Sequence, residues 1–220
     1  MSEPLRQKLR QIAAAEMAQD AAHDLAHLDR VWLTCHDIAV TMDADMEPLM
    51  AAAYLHDLVN LPKDDPNRAR ASTLSAQAAV PHMQALGLAD TQIALACHAI
   101  AAHSFSAGIE PESDIARILR DADRLDALGA IGIARTFAVS GQLGRRFYDA
   151  QDPFAIGRNL DDLQFALDHW PKKLLQLPRD MLTERGRQIA RTRVATMLVF
   201  ITHFASEIGA QVPSDWSKHA

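Results

Sequence analysis

Apolar residues recur along most of this chain at spacings of three and four, the period of a helix that buries one face. Between residues 24 and 42 the predicted buried stripe consists of Leu25, Leu28, Val31, Trp32, Cys35, Ile38 and Ala39. Alanine and leucine, which favour helices, are abundant. The alternation of β-branched residues that is typical of strands is scarce. The pattern therefore predicts an all-α fold.

Proline, glycine and clusters of polar residues divide the chain into segments. Predicted helices cover about residues 4–18, 24–42, 48–59, 71–86, 90–102, 113–128, 130–140, 160–177 and 180–208. Residues 60–68 form a polar loop with two prolines, and residues 141–157 are predicted to be irregular. No internal repeat or linker interrupts the pattern. We therefore expect a helical core over residues 1–140 and a C-terminal helical extension over residues 141–220, packed on the same domain.

Composition narrows the class of protein. With 220 residues, 49% of them apolar, the chain can bury a substantial core. The net charge of −6 argues against nonspecific binding to nucleic acid, although local cations can still attract a small anionic substrate. Cys35 and Cys97 fit no zinc-ribbon spacing and are expected to be reduced thiols. The polar N-terminus and the absence of an apolar run of about 18 residues favour a cytoplasmic protein without a membrane partner, and an oligomer is compatible with the sequence.

Three segments carry residue types that bind divalent cations. His27 lies in the second predicted helix, His56 and Asp57 end the apolar run 49–55, and several carboxylates lie within residues 121–126. Imidazole and carboxylate are ligands of Mn, Fe, Mg and Zn in proteins. A charged pair at the end of an apolar helix is costly to bury alone, and a metal ion would be a partner for it. Taken singly, each histidine or acid is more often a structural or surface residue.

Helical geometry limits how these residues can share one ion. Adjacent side chains on a helix diverge by about 100°, so His56 and Asp57 can converge only on an ion beyond the helix end. For the same reason Asp121 and Asp123 point in nearly opposite directions. The apolar arc of this helix consists of Ile115, Ile118, Leu119, Ala122 and Leu125. Asp126 falls inside this arc, and Asp123 falls at one of its edges. Geometry alone allows Asp123 or Asp126 as a ligand, and the alternative is that all three acids pair with neighbouring arginines.

Taken together, these residues resemble the HD superfamily of metal-dependent phosphohydrolases, whose pattern is H…HD…D. His27 is similar to the first element, residues 53–57 (Ala-Tyr-Leu-His-Asp) to the second, and residues 122–125 (Ala-Asp-Arg-Leu) to the last. The resemblance selects Asp123 as the final ligand. It implies an all-helical HD-domain bundle, in agreement with the periodicity.

The likeness extends over roughly residues 20–200. Residues 103–106 and 121–135, with the loop at 62–63, are similar to a bacterial stand-alone branch of HD hydrolases. That branch includes a manganese-dependent deoxynucleoside triphosphate pyrophosphohydrolase. The GYP motif of cyclic-di-GMP hydrolases is missing, and so are the acids that follow the HD pair in alarmone hydrolases. The resemblance leaves the nucleotide unspecified.

The resemblance implies a metal-dependent phosphohydrolase that cleaves phosphate or pyrophosphate from a nucleotide with a metal-activated water. The implied metal ligands are His27, His56, Asp57 and Asp123. Four protein ligands leave octahedral positions for water and phosphate, which suits Mn, Fe or Mg, with Zn or Ni also compatible. Asp57 is further expected to orient the attacking water. The alternatives are a regulatory module that keeps the metal and binds nucleotide without turnover, and a purely structural helical protein.

Cationic side chains are expected near the leaving group, because its oxygens are anionic. Lys63 and Arg68 lie on the loop after the HD pair, and Arg30 lies one turn after His27. The alternative for the loop cations is that they are solvated and balanced by the neighbouring aspartates. His103 is expected to donate to phosphate or to shuttle a proton. A core or surface role is expected for His98.

Overall fold

The computed structural model describes residues 3–17, 24–61, 65 and 67–216 of the chain. This part contains α-helices and short 3₁₀ turns but no β-strand, so the predicted all-α fold is confirmed. The α-helices are α1 (Glu3–Glu16), α2 (Leu25–Ala39), α3 (Met46–Leu55), α4 (Ala71–Ala85), α5 (Asp90–His103), α6 (Asp114–Leu125), α7 (Gly129–Gln142), α8 (His169–Lys172) and α9 (Glu184–Glu207). None of the described helices has both the length and the apolar character that a membrane span requires.

The chain divides into two compact units, Met1–Asp123 and Arg124–Ala220. Each has buried apolar residues of its own. The expectation of a core over residues 1–140 with an extension over 141–220 stays a prediction.

In the first unit, α3 is the central helix. It packs against α1, α2 and α5, and α4 packs against α5. Every residue of α3 from Pro48 to Leu55 is buried, as expected for a helix that is apolar on all sides. Asp45 caps its N-terminus by accepting a hydrogen bond from the backbone N–H of Glu47 at 3.2 Å. The predicted extension of this helix to residue 59 is wrong, because the α-helix ends at Leu55.

The start of α2 is defined by a side-chain cap. The carboxylate of Asp24 accepts from the backbone N–H of His27 at 2.7 Å, which satisfies one of the free donors of the first turn. The helix ends at Ala39, three residues before the predicted end. Cys35 of this helix is buried, Cys97 of α5 is partly buried, and both are free thiols as predicted.

In the second unit, α7 packs against α9 through a cluster of aromatic rings. The ring of Phe137 lies 6.2 Å from that of Phe200 and 6.4 Å from that of Phe204, between centroids. Thr183 caps α9 by accepting from the N–H of Gly186 at 3.0 Å, so this helix begins at Glu184 and not near residue 180 as predicted.

The predicted helix over residues 160–177 is wrong. Only His169–Lys172 is α-helical, and a 3₁₀ helix follows at Leu174–Asp180. Residues 162–168 form turns around Phe165, which pairs with Arg146 in an isolated parallel β-bridge. Acidic side chains take the backbone donors that a helix would use. Asp161 accepts from the N–H of Leu163 at 3.0 Å, and the buried Asp168 accepts from that of Asp161 at 2.6 Å.

Candidate metal centre

The HD pair lies where α3 stops. His56 is the C-cap residue and keeps helical backbone angles, whereas Asp57 lies in the turn that follows. The change of direction brings the two side chains to the same side, with His56 Nε2 3.4 Å from Asp57 Oδ2. The expected convergence beyond the helix end is therefore present in the structure.

Two other helices of the first unit bring side chains to the same place. His27 Nε2, from the first turn of α2, lies 3.8 Å from Asp57 Oδ2 and 3.4 Å from Asp123 Oδ1. Asp123 Oδ1, from the end of α6, lies 3.8 Å from His56 Nε2. Both imidazoles are fully buried, whereas the carboxylates are 18% (Asp57) and 28% (Asp123) exposed. The cluster therefore opens to solvent on its carboxylate side.

The spacing of these atoms suits a bound cation. Two ligands about 2.1 Å from one octahedral ion lie about 3.0 Å apart when adjacent and about 4.2 Å apart when opposite. The four distances between imidazole nitrogens and carboxylate oxygens, 3.4 to 3.8 Å, fall inside this range. Ligand atoms of His27, His56 and Asp57 all lie within 4.8 Å of one another, so these three residues could hold a metal ion.

The ring of His56 is oriented for ligation by a backbone contact. Its Nδ1 lies 2.9 Å from the carbonyl oxygen of Ala53 and donates to it, which leaves Nε2 as the nitrogen with a lone pair. That Nε2 atom is buried and has no hydrogen-bond partner among the described residues. A buried polar atom without a partner is unfavourable in a folded protein, and a metal ion would satisfy it.

His103 forms a further wall of the cluster. Its ring packs edge-on against that of His56, with 4.8 Å between centroids, and its Nε2 lies 3.8 Å from Asp57 Oδ1. Its Nδ1 contacts the carbonyl oxygen of Ile100 at 2.6 Å, as donor. His103 therefore lies beside the candidate ligands, and its expected role as a phosphate donor or proton shuttle stays a prediction.

The charges of the cluster shift the pKa values of its members. Burial lowers the pKa of His56, but the carboxylates of Asp57 and Asp123 outweigh it, so the net shift is upward. Burial raises the pKa of Asp123, yet the hydrogen bond with His27 and the nearby imidazoles bring it well below its usual range. Burial and the neighbouring His56 lower the pKa of His103. The cluster thus favours an ionised Asp123 beside a neutral His103.

The predicted phosphate-binding cations have different environments. Arg68 is partly buried, and its Nη1 donates to the side chain of Asn60 at 2.9 Å and to the carbonyl of Leu61, so it holds the loop after the HD pair. Arg30 lies partly buried on α2, one turn from His27. Lys63 lies outside the described residues. The catalytic roles of these three residues stay predictions.

The acids at residues 121, 123 and 126, between which the sequence did not decide, have different surroundings in the structure. Asp123 contacts both imidazoles, as the resemblance implies. Asp121 is fully buried, and Asp126, also buried, accepts a hydrogen bond from Arg135. His98 accepts from the backbone N–H of Glu112 at 3.1 Å, which agrees with a structural role.

Sequence reasoning missed a polar network beside the centre. The hydroxyl of Tyr54 lies 2.8 Å from Asp29 Oδ1, and Arg6 contacts both of these side chains. Asp29 and Tyr54 each lie two residues from a candidate ligand, but on opposite helical faces from it. A buried tyrosine in an otherwise aliphatic run was the signal available in the sequence.

Comparison with known proteins gives the family context of this cluster. The family model of the HD domain matches residues 24–128. YpgQ, an uncharacterized protein of Bacillus subtilis (strain 168), is 30% identical over 194 residues, and the match covers 86% of either chain.

Solved structures show the same fold. The crystal structure of B. subtilis YpgQ in complex with ADP has a TM-score of 0.73 and 28% identity, over 93% of this chain and 95% of that one. A HD-superfamily hydrolase from Bacillus thuringiensis has a TM-score of 0.72 and 30% identity, over 95% of this chain and 99% of that one. The similarity to these structures therefore extends well past the matched domain.

Proposed function

Because this chain belongs to the HD-domain family, we propose that it is a metal-dependent phosphohydrolase that releases phosphate or pyrophosphate from a nucleotide. The observation that carries the proposal is the convergence of two buried imidazole nitrogens and two carboxylate oxygens at 3.4 to 3.8 Å. The HD-superfamily neighbour supports a hydrolase.

The proposed ligands are His27, His56, Asp57 and Asp123. When bound there, a divalent ion such as Mn²⁺, Fe²⁺ or Mg²⁺ would neutralise phosphate oxygens and lower the pKa of a coordinated water. The buried imidazoles of His27 and His56 form the inner side of the cluster. The partly exposed carboxylates of Asp57 and Asp123 leave its outer side accessible to a substrate. In the reaction a water oxygen forms a bond to phosphorus while the bond from phosphorus to the leaving oxygen breaks.

The side chains around the ligands have separate roles in this proposal. Asp57 accepts a hydrogen bond from the attacking water through its exposed side. His103, kept neutral by burial and by His56, relays a proton between the reacting oxygens and solvent. Arg30, Lys63 and Arg68 compensate the charge of the leaving phosphate.

A nucleotide is the proposed substrate class because of the relatives. YpgQ, whose structure was solved in complex with ADP, is similar over most of the chain. The bacterial branch that residues 103–106 and 121–135 resemble includes a deoxynucleoside triphosphate pyrophosphohydrolase. We therefore propose a nucleoside di- or triphosphate, in ribose or deoxyribose form, as the ligand.

The test is a release assay on the purified full-length chain. The chain is freed of metal with a chelator, reloaded with Mn²⁺, Mg²⁺, Fe²⁺, Zn²⁺ or Ni²⁺, and incubated with nucleoside mono-, di- and triphosphates. Inorganic phosphate and pyrophosphate are measured separately, and Asp57→Asn serves as the inactive reference. We expect metal-dependent release of one of the two products from at least one nucleotide.

Two outcomes contradict the proposal. Metal uptake and nucleotide binding without turnover of any phosphate substrate would support the regulatory module instead. An absence of metal uptake under every condition would leave only a structural role for the four side chains.

A further inference from the structure

A hydrogen-bonded network joins three helices of the first unit close to the candidate metal centre. The Tyr54 hydroxyl donates to Asp29 Oδ1 at 2.8 Å and accepts from Arg6 Nε at 2.8 Å. Arg6 and Arg10 also donate to the Asp29 carboxylate, at 3.4 Å and 3.0 Å. Tyr54 is fully buried and the carboxylate of Asp29 is 25% exposed. The network therefore connects α1 to both helices that carry the candidate imidazole ligands.

On both helices the network residue lies two positions from the candidate ligand. Asp29 follows His27 by two residues on α2, and Tyr54 precedes His56 by two residues at the end of α3. Residues two apart on a helix point about 200° from one another, so the network holds each helix on the side away from its histidine. A shift of either helix by one residue, about 1.5 Å along its axis, would break the hydrogen bond from Tyr54 to Asp29.

Metal centres require such control of register, because ligands must be held within about 0.5 Å of their working positions. Partners that hydrogen-bond directly to metal ligands typically change metal affinity by about 10- to 100-fold when removed. The present network would act through the helix backbones, by fixing where each histidine lies. We propose that Tyr54, Asp29 and Arg6 are positioning residues that set the register of α2 against α3 and hence the separation of His27 from His56. This inference rests on the proposed function, since it assumes that the cluster binds a cation.

Part of the network lies on α1, outside the residues that the HD-domain family model matches. The HD-domain match begins at residue 24, whereas Arg6 and Arg10 lie on α1 (Glu3–Glu16). Asp29 is 25% exposed and accepts from three donors of neighbouring helices, so its carboxylate is directed into the network. The N-terminal helix would therefore be required for tight metal binding although it supplies no ligand.

Tyr54→Phe tests the proposal, because it removes one hydroxyl and keeps the buried ring. Tyr148→Phe is the matched control: this chain has two tyrosines, and the ring of Tyr148 packs edge-on against Phe204 in the second unit. The metal-free full chain is titrated with Mn²⁺ by calorimetry and with Co²⁺ by visible absorption, whose band shape reports ligand geometry. The melting temperature of each metal-free variant is measured separately.

We expect Tyr54→Phe to weaken the Mn²⁺ Kd by about tenfold or more and to change the Co²⁺ band shape. Tyr148→Phe should change neither. If Tyr54→Phe lowers the melting temperature of the metal-free chain but keeps the wild-type Kd and Co²⁺ spectrum, the network is only structural and the inference is overturned. If instead the wild-type chain binds neither Mn²⁺ nor Co²⁺, the proposed function fails together with the inference. The wild-type titration therefore distinguishes this result from a failure of the inference alone.

A second variant, Arg6→Gln, keeps the inference testable if Tyr54→Phe does not fold. The side chain of Arg6 is 31% exposed, so Arg6→Gln removes its two contacts without opening a cavity in the core. Arg117→Gln, at an exposed pair with Asp114 on α6, is its control. We expect a weakened Kd for Arg6→Gln, a wild-type Kd for Arg117→Gln and a partial recovery for Arg6→Lys. Equal affinities in all three variants would contradict the inference.

Discussion

The Nε2 atom of His56 lies 3.4 Å from Oδ2 of Asp57, although these neighbours would diverge by about 100° on a continuous helix. The end of α3 at Leu55 makes the approach geometrically accessible, because Asp57 already lies in the turn. The helix terminus therefore converts two adjacent residues into a pair of side chains that face the same point. His27 and Asp123 complete the cluster from α2 and α6.

The first prediction concerns this pair. His56→Ala and Asp57→Asn should each abolish bound metal and reduce hydrolysis to background, because each removes a proposed ligand. Helicity should persist, since α3 keeps its apolar contacts. His203→Ala, at an exposed position of α9, is the control. Metal content by elemental analysis, circular dichroism and product release are the measurements, and full activity in Asp57→Asn would refute the assigned chemistry.

The second prediction separates a proton relay from a ligand at His103. His103→Gln should keep the metal and lower kcat by about 10²- to 10⁴-fold, the usual contribution of general acid–base catalysis. His98→Gln, five residues earlier on the same helix, should keep both, because His98 contacts the backbone of Glu112. Loss of metal from His103→Gln would instead assign this residue to the coordination sphere.

The third prediction concerns glycines on α7 (Gly129–Gln142). A Cβ at Gly132 would lie 2.2 Å from the backbone oxygen of Ala127, a contact that only backbone movement can relieve. Gly132→Ala should therefore lower the free energy of unfolding by about 1–3 kcal/mol or more. Gly141→Ala meets nothing within 4 Å in the same helix and should raise it by up to about 1 kcal/mol. Urea denaturation measures both, and equal effects would show that the close approach is absent.

The fourth prediction is a pH dependence of stability in the second unit. Burial alone would raise the pKa of Asp162, but hydrogen bonds from Lys172 and His169, with the charge of Lys173, lower it well below its usual range. The unfolded carboxyl titrates near pH 4, so the unfolded chain binds more protons as pH falls. The stabilisation by Asp162 is thus complete above the unfolded pKa and is lost as pH falls toward the folded pKa.

Asp162→Asn should lower the urea midpoint at pH 7 and reduce its further decrease between pH 5 and pH 3. The loss at pH 7 should be about 1–3 kcal/mol, since charge-assisted hydrogen bonds to a buried group are removed. Asp114→Asn, at an exposed pair with Arg117, should cost less than about 0.5 kcal/mol. An unchanged pH profile in Asp162→Asn would show that other groups cause the acid sensitivity.

In the residues before Asp168, the pattern of apolar positions predicts a helix that the structure does not contain. Residues 160–177 have a helical pattern of apolar positions, yet residues 160–168 contain no α-helix and form turns from residue 162. Arg158 donates to both carboxylate oxygens of Asp168, and its guanidinium stacks over the ring of Phe165 at 4.6 Å. Because these contacts use side chains that are far apart on a helix, the tertiary interactions outweigh a weak local preference.

The sequence by itself determined the all-α class. It also predicted the residue types of the candidate centre and, through the resemblance, proposed Asp123 as a ligand. These features depend on local periodicity and on a motif, both of which are readable one segment at a time. Tertiary structure alone decided that α3 stops at Leu55, that His103 packs on His56, and that Tyr54 contacts Asp29. Contacts between distant segments depend on how helices pack, and single-segment patterns contain no information about that packing.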